Sequence, residues 1–335
     1  MADWPIPAQV QGCMEVLRRA GHAVHPVGGC VRDLLLGRTP GDFDLCTSAR
    51  PEQVMALFPR TVPTGLRHGT VTVLTEGGGG VEVTTFRREG RYGDGRHPDA
   101  VSFDVDLEED LARRDFTVNA MALDKEGGVI DPFGGRGDLA AGLIRCVGDP
   151  DRRFAEDALR MFRAVRFAAQ LGFAIEGETL AAVGRNAWRA GQVSGERILA
   201  EMEKILLSPA PERAGELIRL GLLEHLRPGR ACPGLSALSQ TEAAPGPRWR
   251  AFCRAAEFPI EVLPVSRALR RAVRCPEMEL VHRLALTGGE LAGLGFRGAE
   301  IGRAQRELAR HVLAHPEDNT RPRLLALLNR TDGGT

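Results

Sequence analysis

The 335-residue chain has two lysines, Lys125 and Lys204, a single tyrosine, and only 5% aromatic residues. No apolar run approaches the ~20 residues that a membrane-spanning helix needs, so a helical membrane protein is excluded. The opening Met1-Ala2-Asp3-Trp4-Pro5 lacks the basic-then-apolar pattern of a secretory leader, and the cytoplasm is the expected location. The seven cysteines (13, 30, 46, 146, 232, 253 and 275) are odd in number and form no C-x-x-C pair. That argues against a disulfide framework or a zinc ribbon and predicts mostly buried thiols. There is no GxSxG, no Walker A loop and no GxGxxG. No His-Asp motif occurs in the later half. His68 and His97 stand alone in loop-like sequence.

What is present is a soluble globular mix, 43% hydrophobic and 26% charged. The length suggests two or three domains at roughly 100–200 residues each. Net charge is zero, but it is unevenly spread. Residues 1–150 hold 16 basic and 22 acidic side chains, and residues 151–335 hold 28 and 22. The second half therefore suits a polyanion, while the first half suits divalent cations.

Local patterns predict a helix over 9–20, a strand over 22–27 ending in Gly28-Gly29, a helix over 31–36 and a short strand over 42–45. A helix over 51–57 follows, with Pro51 in its first turn. Residues 70–75 and 81–86 alternate and read as a hairpin, and 116–123 with 128–131 read as a further strand pair. Residues 87–100 have Gly, Pro and charge without an apolar period and read as a mobile loop. There Tyr92 either stacks on a base or has no role. From about 151 the period is helical, most clearly at 154–171, 178–190, 195–207, 211–223 and 299–313, with a Pro- and Gly-rich loop at 227–248. The fold class is α+β: an α/β head of about 135–140 residues, then an all-helical remainder.

Three runs carry chemistry. In GGCVRDLLLGRTPGDFD, residues 28–44, Gly28 and Gly29 let backbone N–H groups approach a phosphate, and Arg32 adds a bidentate contact. Asp42 and Asp44, two apart on a strand, place both carboxylates on one face, a pair suited to Mg²⁺. The run predicts metal-dependent phosphoryl or nucleotidyl transfer. Glu82 is either a third acid near that pair or an exposed strand residue. In RRDFTVNAMAL, residues 113–123, Arg114 fits triphosphate while Asp115 and Asn119 fit a ribose; a plain loop ion pair fits the same residues. In EDALRMFRAVR, residues 156–166, Asp157, Arg160, Arg163 and Arg166 share one face of a predicted helix, and Leu159, Phe162 and Val165 take another as core. Such a stripe is either a salt-bridged surface or a reader of bases. A carboxylate accepts from an exocyclic amine and a guanidinium donates to a ring nitrogen. One Asp–Arg pair thus suits cytosine and adenine and rejects uracil and guanine.

Together these runs resemble the class II tRNA nucleotidyltransferases, the bacterial and eukaryotic CCA-adding enzymes and their bacterial poly(A) polymerase relatives. The resemblance is dense from about residue 22 to 172. It implies a polymerase-β-type nucleotidyltransferase head (1–138), a helical neck (139–207) and a helical body and tail that bind tRNA (208–335). It further implies that Asp42 and Asp44 bind catalytic Mg²⁺, and that Gly29 and Arg32 hold triphosphate. Arg114, Asp115 and Asn119 would contact nucleotide. Asp157 and Arg160 would read the base, with Arg163 and Arg166 assisting. The expected substrates are CTP, ATP and the acceptor arm of tRNA, with pyrophosphate released. Residues 87–100 match the family's flexible loop, which relatives that add only CC usually lack. An A-adding enzyme and a poly(A) polymerase are the alternatives within this chemistry.

Overall fold

The computed structural model describes residues 4–66, 69–75, 79–89, 101–103, 105–229, 231–232 and 234–331. They divide into two compact units, Met1–Glu201 with Glu216–Ala231, and Met202–Gly215 with Cys232–Thr335. No helix of the described residues is long and apolar enough to cross a membrane.

The first unit opens with α1 (Ala8–Arg19), β1 (Val24–Val27), α2 (Gly29–Leu35), β2 (Asp44–Thr47) and α3 (Pro51–Leu57). β3 (Thr61–Gly65), β4 (Thr70–Leu74) and β5 (Gly80–Thr85) follow. β6 (Arg88–Glu89) and β7 (Val101–Ser102) form a separate antiparallel pair. After α4 (Leu107–Ala112) come β8 (Ala122–Leu123) and β9 (Val129–Ile130), which complete a seven-stranded sheet in the order β3-β4-β5-β2-β1-β8-β9. Within this sheet, among the described residues, only the β2–β5 pairing is parallel.

Alternation along the strands sorts the two faces. On one face Val24, Leu45, Val71, Val73, Val81 and Val83 pack with Val10, Met14 and Leu17 of α1, Val31 of α2 and Val54 of α3. On the other, Val27 and Cys46 pack with Phe86, Leu111 and Val147. The same alternation turns Asp44 and Glu82 away from the first core, and the parallel register sets these two residues side by side. Fully burying each of the α1 side chains Val10, Met14 and Leu17 is worth about 1.5–3 kcal/mol, so the helix is held by its apolar stripe.

The unit continues through α5 (Gly135–Ala141), a short parallel pair β10 (Leu143–Ile144) and β11 (Ala174–Ile175), and helices α6 (Pro150–Glu156), α7 (Leu159–Leu171) and α8 (Gly177–Asn186). A 3₁₀ stretch, Ala187–Gln192, leads into α9 (Gly195–Leu206).

The structure corrects several local readings. The strand predicted over 116–123 is a 3₁₀ turn at Thr117–Asn119, preceded by Phe116 in an isolated antiparallel bridge with Cys146 and followed by the short strand Ala122–Leu123. Asn119 is drawn into that turn by its side chain, which donates to Asp115 and accepts from Arg32. Gly135 packs on the turn so closely that a Cβ there would lie 2.3 Å from the Thr117 carbonyl oxygen. The single helix predicted over 154–171 is two helices, broken at Asp157, whose backbone is extended at φ −149° and ψ 107°. β2 begins at Asp44, so Asp42 precedes the strand instead of lying on it.

The second unit is helical. Contrary to the loop expected over 227–248, a helix begins at Pro245 and runs to Ala256, carrying the fully buried Trp249 and Phe252. Proline at the first helical position is compatible with helix, because its missing N–H has no intrahelical partner there anyway. Farther on, Leu286, Leu291, Leu308, Ala309 and Leu324 form a separate core. Of the loop expected over 87–100, residues 90–100 lie outside the described residues, as do His68, Tyr92 and His97.

Candidate active site

Every residue singled out above as catalytic or nucleotide-binding lines one cavity of about 740 Å³ in the first unit. The cavity has an acidic end and a basic wall.

The acidic end is Asp42, Asp44 and Glu82. Crowding by surrounding protein, then the charges of Asp42 and Glu82, push the Asp44 carboxyl up to about 6, and Arg114 opposes them. Asp44 itself is open to the cavity. The mutual repulsion of carboxylates is therefore the part of that shift that carries weight. Carboxylates gathered against their own repulsion suit a divalent cation. Among the described residues no three His, Cys, Asp or Glu side chains cluster tightly enough to hold a metal on their own. A hard cation here would complete its oxygen shell from water and substrate phosphates, the mode typical of Mg²⁺.

Gly28 joins this end to the basic wall. Its φ of 81° is left-handed, and a Cβ would sit 2.9 Å from Arg114 Nη1, so backbone and guanidinium approach closely only because the residue is glycine. Arg114 is held from behind by Asp110, which is fully buried. Asp110 also accepts from Arg113 Nε and Nη2 at 2.9 and 2.8 Å and from the Arg87 N–H at 3.3 Å. Burial pushes the Asp110 carboxyl up, but the Arg113 and Arg114 charges and these hydrogen bonds outweigh it and hold it below the ordinary range.

The basic wall is a connected frame. Arg32 Nη1 donates to Asn119 Oδ1 at 2.7 Å, and its Nε to Asp33 at 2.8 Å. Arg163 Nε donates to the buried Asp115 at 2.6 Å. Burial raises the Asp115 carboxyl, but Arg163 and then Arg160 bring it below its usual value. Arg166 pairs with the buried Glu201 at 2.6 Å. Arg32, Arg163 and Arg166 all lie over one ring, Phe167, with guanidinium carbons 5.4, 5.4 and 4.0 Å from its centroid.

The expected Asp157–Arg160 face takes another form. Asp157 sits in the break between α6 and α7, where Oδ1 accepts the Leu159 N–H at 3.0 Å. Arg197 grips it with Nη1 to Oδ1 at 3.2 Å and Nη2 to Oδ2 at 2.7 Å. Arg160 bonds Glu156 at 2.7 Å and the carbonyls of Arg153 and Arg113 at 3.2 and 3.1 Å. Both side chains still face the cavity.

Sequence reasoning missed Asp110, Glu156, Phe167 and Arg197. Glu156 stands four residues before Arg160, a spacing that signals an i,i+4 pair. Asp110 stands three and four residues before Arg113 and Arg114 and carries the same signal, whereas Arg197 carries none, since it meets Asp157 only through the fold.

Residues 24–145 match the family described as poly A polymerase head domain, and residues 172–232 match the one described as probable RNA and SrmB-binding site of polymerase A. The crystal structure of the Bacillus stearothermophilus CCA-adding enzyme in complex with CTP is 35% identical in sequence. The match covers 97% of both chains, with a TM-score of 0.65. The chain belongs to the CCA-adding enzyme family. Among curated members of that family, the enzyme of Geobacillus kaustophilus is 47% identical over 272 residues, 78% of this chain. That of Geobacillus thermodenitrificans is 52% identical over 227 residues, 68% of this chain. The matches span 65% and 56% of those two family members' lengths.

Proposed function

We propose that this family member is a cytoplasmic tRNA nucleotidyltransferase that adds CCA to the 3′ end of tRNA from CTP and ATP. The observation that carries the reading is one cavity with acids at one end, a framed set of arginines along its wall, and a carboxylate at a helix break that lines the same cavity. The structure of the Bacillus stearothermophilus relative with CTP supports it.

The reaction joins the RNA 3′ oxygen to the α-phosphorus of the nucleotide and breaks the bond to the bridging oxygen, with pyrophosphate leaving. Asp42 and Asp44 would hold Mg²⁺, with Glu82 beside them. When bound, the metal supplies charge neutralisation at the phosphates and acidifies the attacking hydroxyl. The protein's own part is positioning and electrostatic stabilisation. Gly28 and Gly29 present backbone close to the phosphates, and Arg32 and Arg114 face the triphosphate's negative charge. Asp115 and Asn119 hold Arg163 and Arg32 in place and border the ribose. Asp157 Oδ2 accepts one bond, from Arg197, and retains a second lone pair for an exocyclic amine of cytosine or adenine. Arg160, beside it on the cavity wall, is the donor for the ring nitrogen, with Arg163 and Arg166 assisting. Residues 208–335 would serve the tRNA.

The test uses two tRNA transcripts, one ending at the discriminator base and one ending in CC, each with Mg²⁺ and CTP, ATP or both, sized on a gel. Three additions to the bare transcript are expected. Extension of only the CC transcript by one A would make it an A-adding enzyme. Long A tails would make it a poly(A) polymerase. Two Cs alone would contradict the argument from the 87–100 segment. No extension of either would overturn the reading.

A further inference from the structure

Away from the cavity, the first unit displays one aromatic that no packing argument explains. Trp188 is 67% exposed, the most exposed of the large hydrophobic side chains among the described residues. Burying an indole is among the largest hydrophobic gains a chain can make, so a tryptophan left in solvent is an uncommon arrangement. It is also organised. The Arg189 guanidinium lies over the ring, 4.4 Å from its centroid. That guanidinium is oriented in turn, because Arg189 Nε donates to Asn186 Oδ1 at 3.0 Å. Asn186 is buried and fixed by its amide, which donates to Asp151 at 2.5 Å and to the Ala182 carbonyl at 3.0 Å. The pair stands on the rigid 3₁₀ stretch Ala187–Gln192, inside the segment that matches the RNA-binding family, residues 172–232.

We infer that Trp188 and Arg189 form a stacking platform for an unpaired or terminal nucleobase of the RNA substrate, separate from the base-reading residues of the cavity. An indole offers a π-face that any base can stack on, and a guanidinium held on the ring adds positive charge close to the phosphates without requiring a particular sequence. Such a contact would hold the RNA while leaving nucleotide choice to Asp157 and its neighbours. This inference rests on the reading that the chain acts on tRNA.

The experiment compares the full chain with Trp188→Ala, Trp188→Phe and Arg189→Gln. Binding of a tRNA transcript lacking CCA is followed by filter binding and by tryptophan emission. Of the two other tryptophans, Trp249 is fully buried and Trp4 is half-buried with its indole N–H donating to the Gly127 carbonyl, so the difference between parent and Trp188→Ala is what reports on Trp188. The parent should bind tRNA with loss of emission, and Trp188→Ala should abolish most of that loss. Trp188→Ala should weaken tRNA binding about tenfold, the scale of one stacked base. It should raise the KM for tRNA and leave the KM for CTP, and kcat at saturating tRNA, within about twofold. Trp188→Phe should recover most of the affinity, and Arg189→Gln should lose part of it. Parent-like tRNA binding by Trp188→Ala would overturn the platform and assign the exposed indole to a protein partner. Equal damage to the KM for CTP would also overturn it, as a structural effect. Failure of the parent itself to bind or extend tRNA would instead overturn the functional reading.

Discussion

Asp44 is a single side chain held in place at a cost to the fold. It shares one end of the cavity with Asp42 and Glu82, and their charges raise its carboxyl to about 6 together with the crowding of the site. Removing that charge should relieve repulsion while depriving a divalent cation of its anchor. We therefore expect Asp44→Asn to cut single-nucleotide incorporation about a thousandfold or more, with tRNA affinity within twofold and a melting temperature no lower than the parent's. A variant with normal turnover would remove Asp44 from the mechanism, and one that melts earlier would contradict the repulsion argument. Phe167 offers a second test on the basic wall. Three guanidiniums rest on its ring, and each such contact is worth about 0.5–2 kcal/mol. Phe167→Leu keeps the bulk and loses the quadrupole, so the KM for CTP should rise roughly two- to thirtyfold while the fold persists. Phe167→Tyr should stay near the parent. If the leucine variant kept the parent's KM, the arginines would owe their placement to their carboxylate partners alone.

At the scale of elements, the buried pairings decide what stays in place. Asp110 on α4 holds Arg113 and Arg114 together and is itself fully buried. Its carboxyl titrates below the ordinary range in the folded chain, whereas an unfolded Asp titrates near 3.9. A depressed folded value means that the stabilisation is complete above about pH 4 and is lost as the pH falls through the folded value. Asp110→Asn leaves two guanidiniums without their shared counter-charge and should cost about 3–5 kcal/mol at pH 7. Urea melts of parent and variant between pH 7 and pH 3 should show that gap closing below about pH 4. A gap that widens with acid would reverse the assignment. Much of this architecture was legible beforehand. The helix at Ala8–Arg19 and the strands Val24–Val27 and Gly80–Thr85 follow from apolar periods that their burial repeats. The break at Asp157 was not legible, because Glu-Asp-Ala-Leu-Arg contains neither Gly nor Pro. There a carboxylate takes the Leu159 N–H, two residues on, and an arginine 40 residues away in sequence, a contact that no local window contains. The turn at Thr117–Asn119 was hidden in part for the same reason, since β-branched residues favour a strand and the distant Arg32 and Asp138 side chains, with Asp115 four residues back, draw Asn119 and Thr117 out of it. The residues lining the cavity fall largely in three runs legible in the sequence, and the Glu156–Arg160 pair follows from its i,i+4 spacing, but the pairing of Asp157 with Arg197 was not legible.

Over the whole molecule, neutrality conceals a division of labour in charge. Residues 1–150 carry six more acidic than basic side chains, and residues 151–335 carry six more basic than acidic. Nearly all the positive charge is arginine, whose planar fork suits phosphate better than an ammonium does. Many of these arginines already have acidic partners, as in Arg185 with Asp151 and Glu178, and Arg321 with Glu290. Their contribution to a polyanion is therefore smaller than the count suggests. On the proposed function the uncompensated excess would be what meets RNA phosphates, and each phosphate neutralised would release a counterion, which makes affinity fall with salt. The cavity, by contrast, would on the proposed function take a single nucleotide through a few arginines in a fixed frame, where screening is weaker. Raising monovalent salt from 50 to 200 mM should thus raise the KM for tRNA at least about tenfold and change the KM for CTP about threefold or less. Steady-state kinetics at fixed Mg²⁺ would separate the two. Equal sensitivity of both substrates would mean that the cavity, and not the basic remainder of the chain, supplies most of the attraction for RNA.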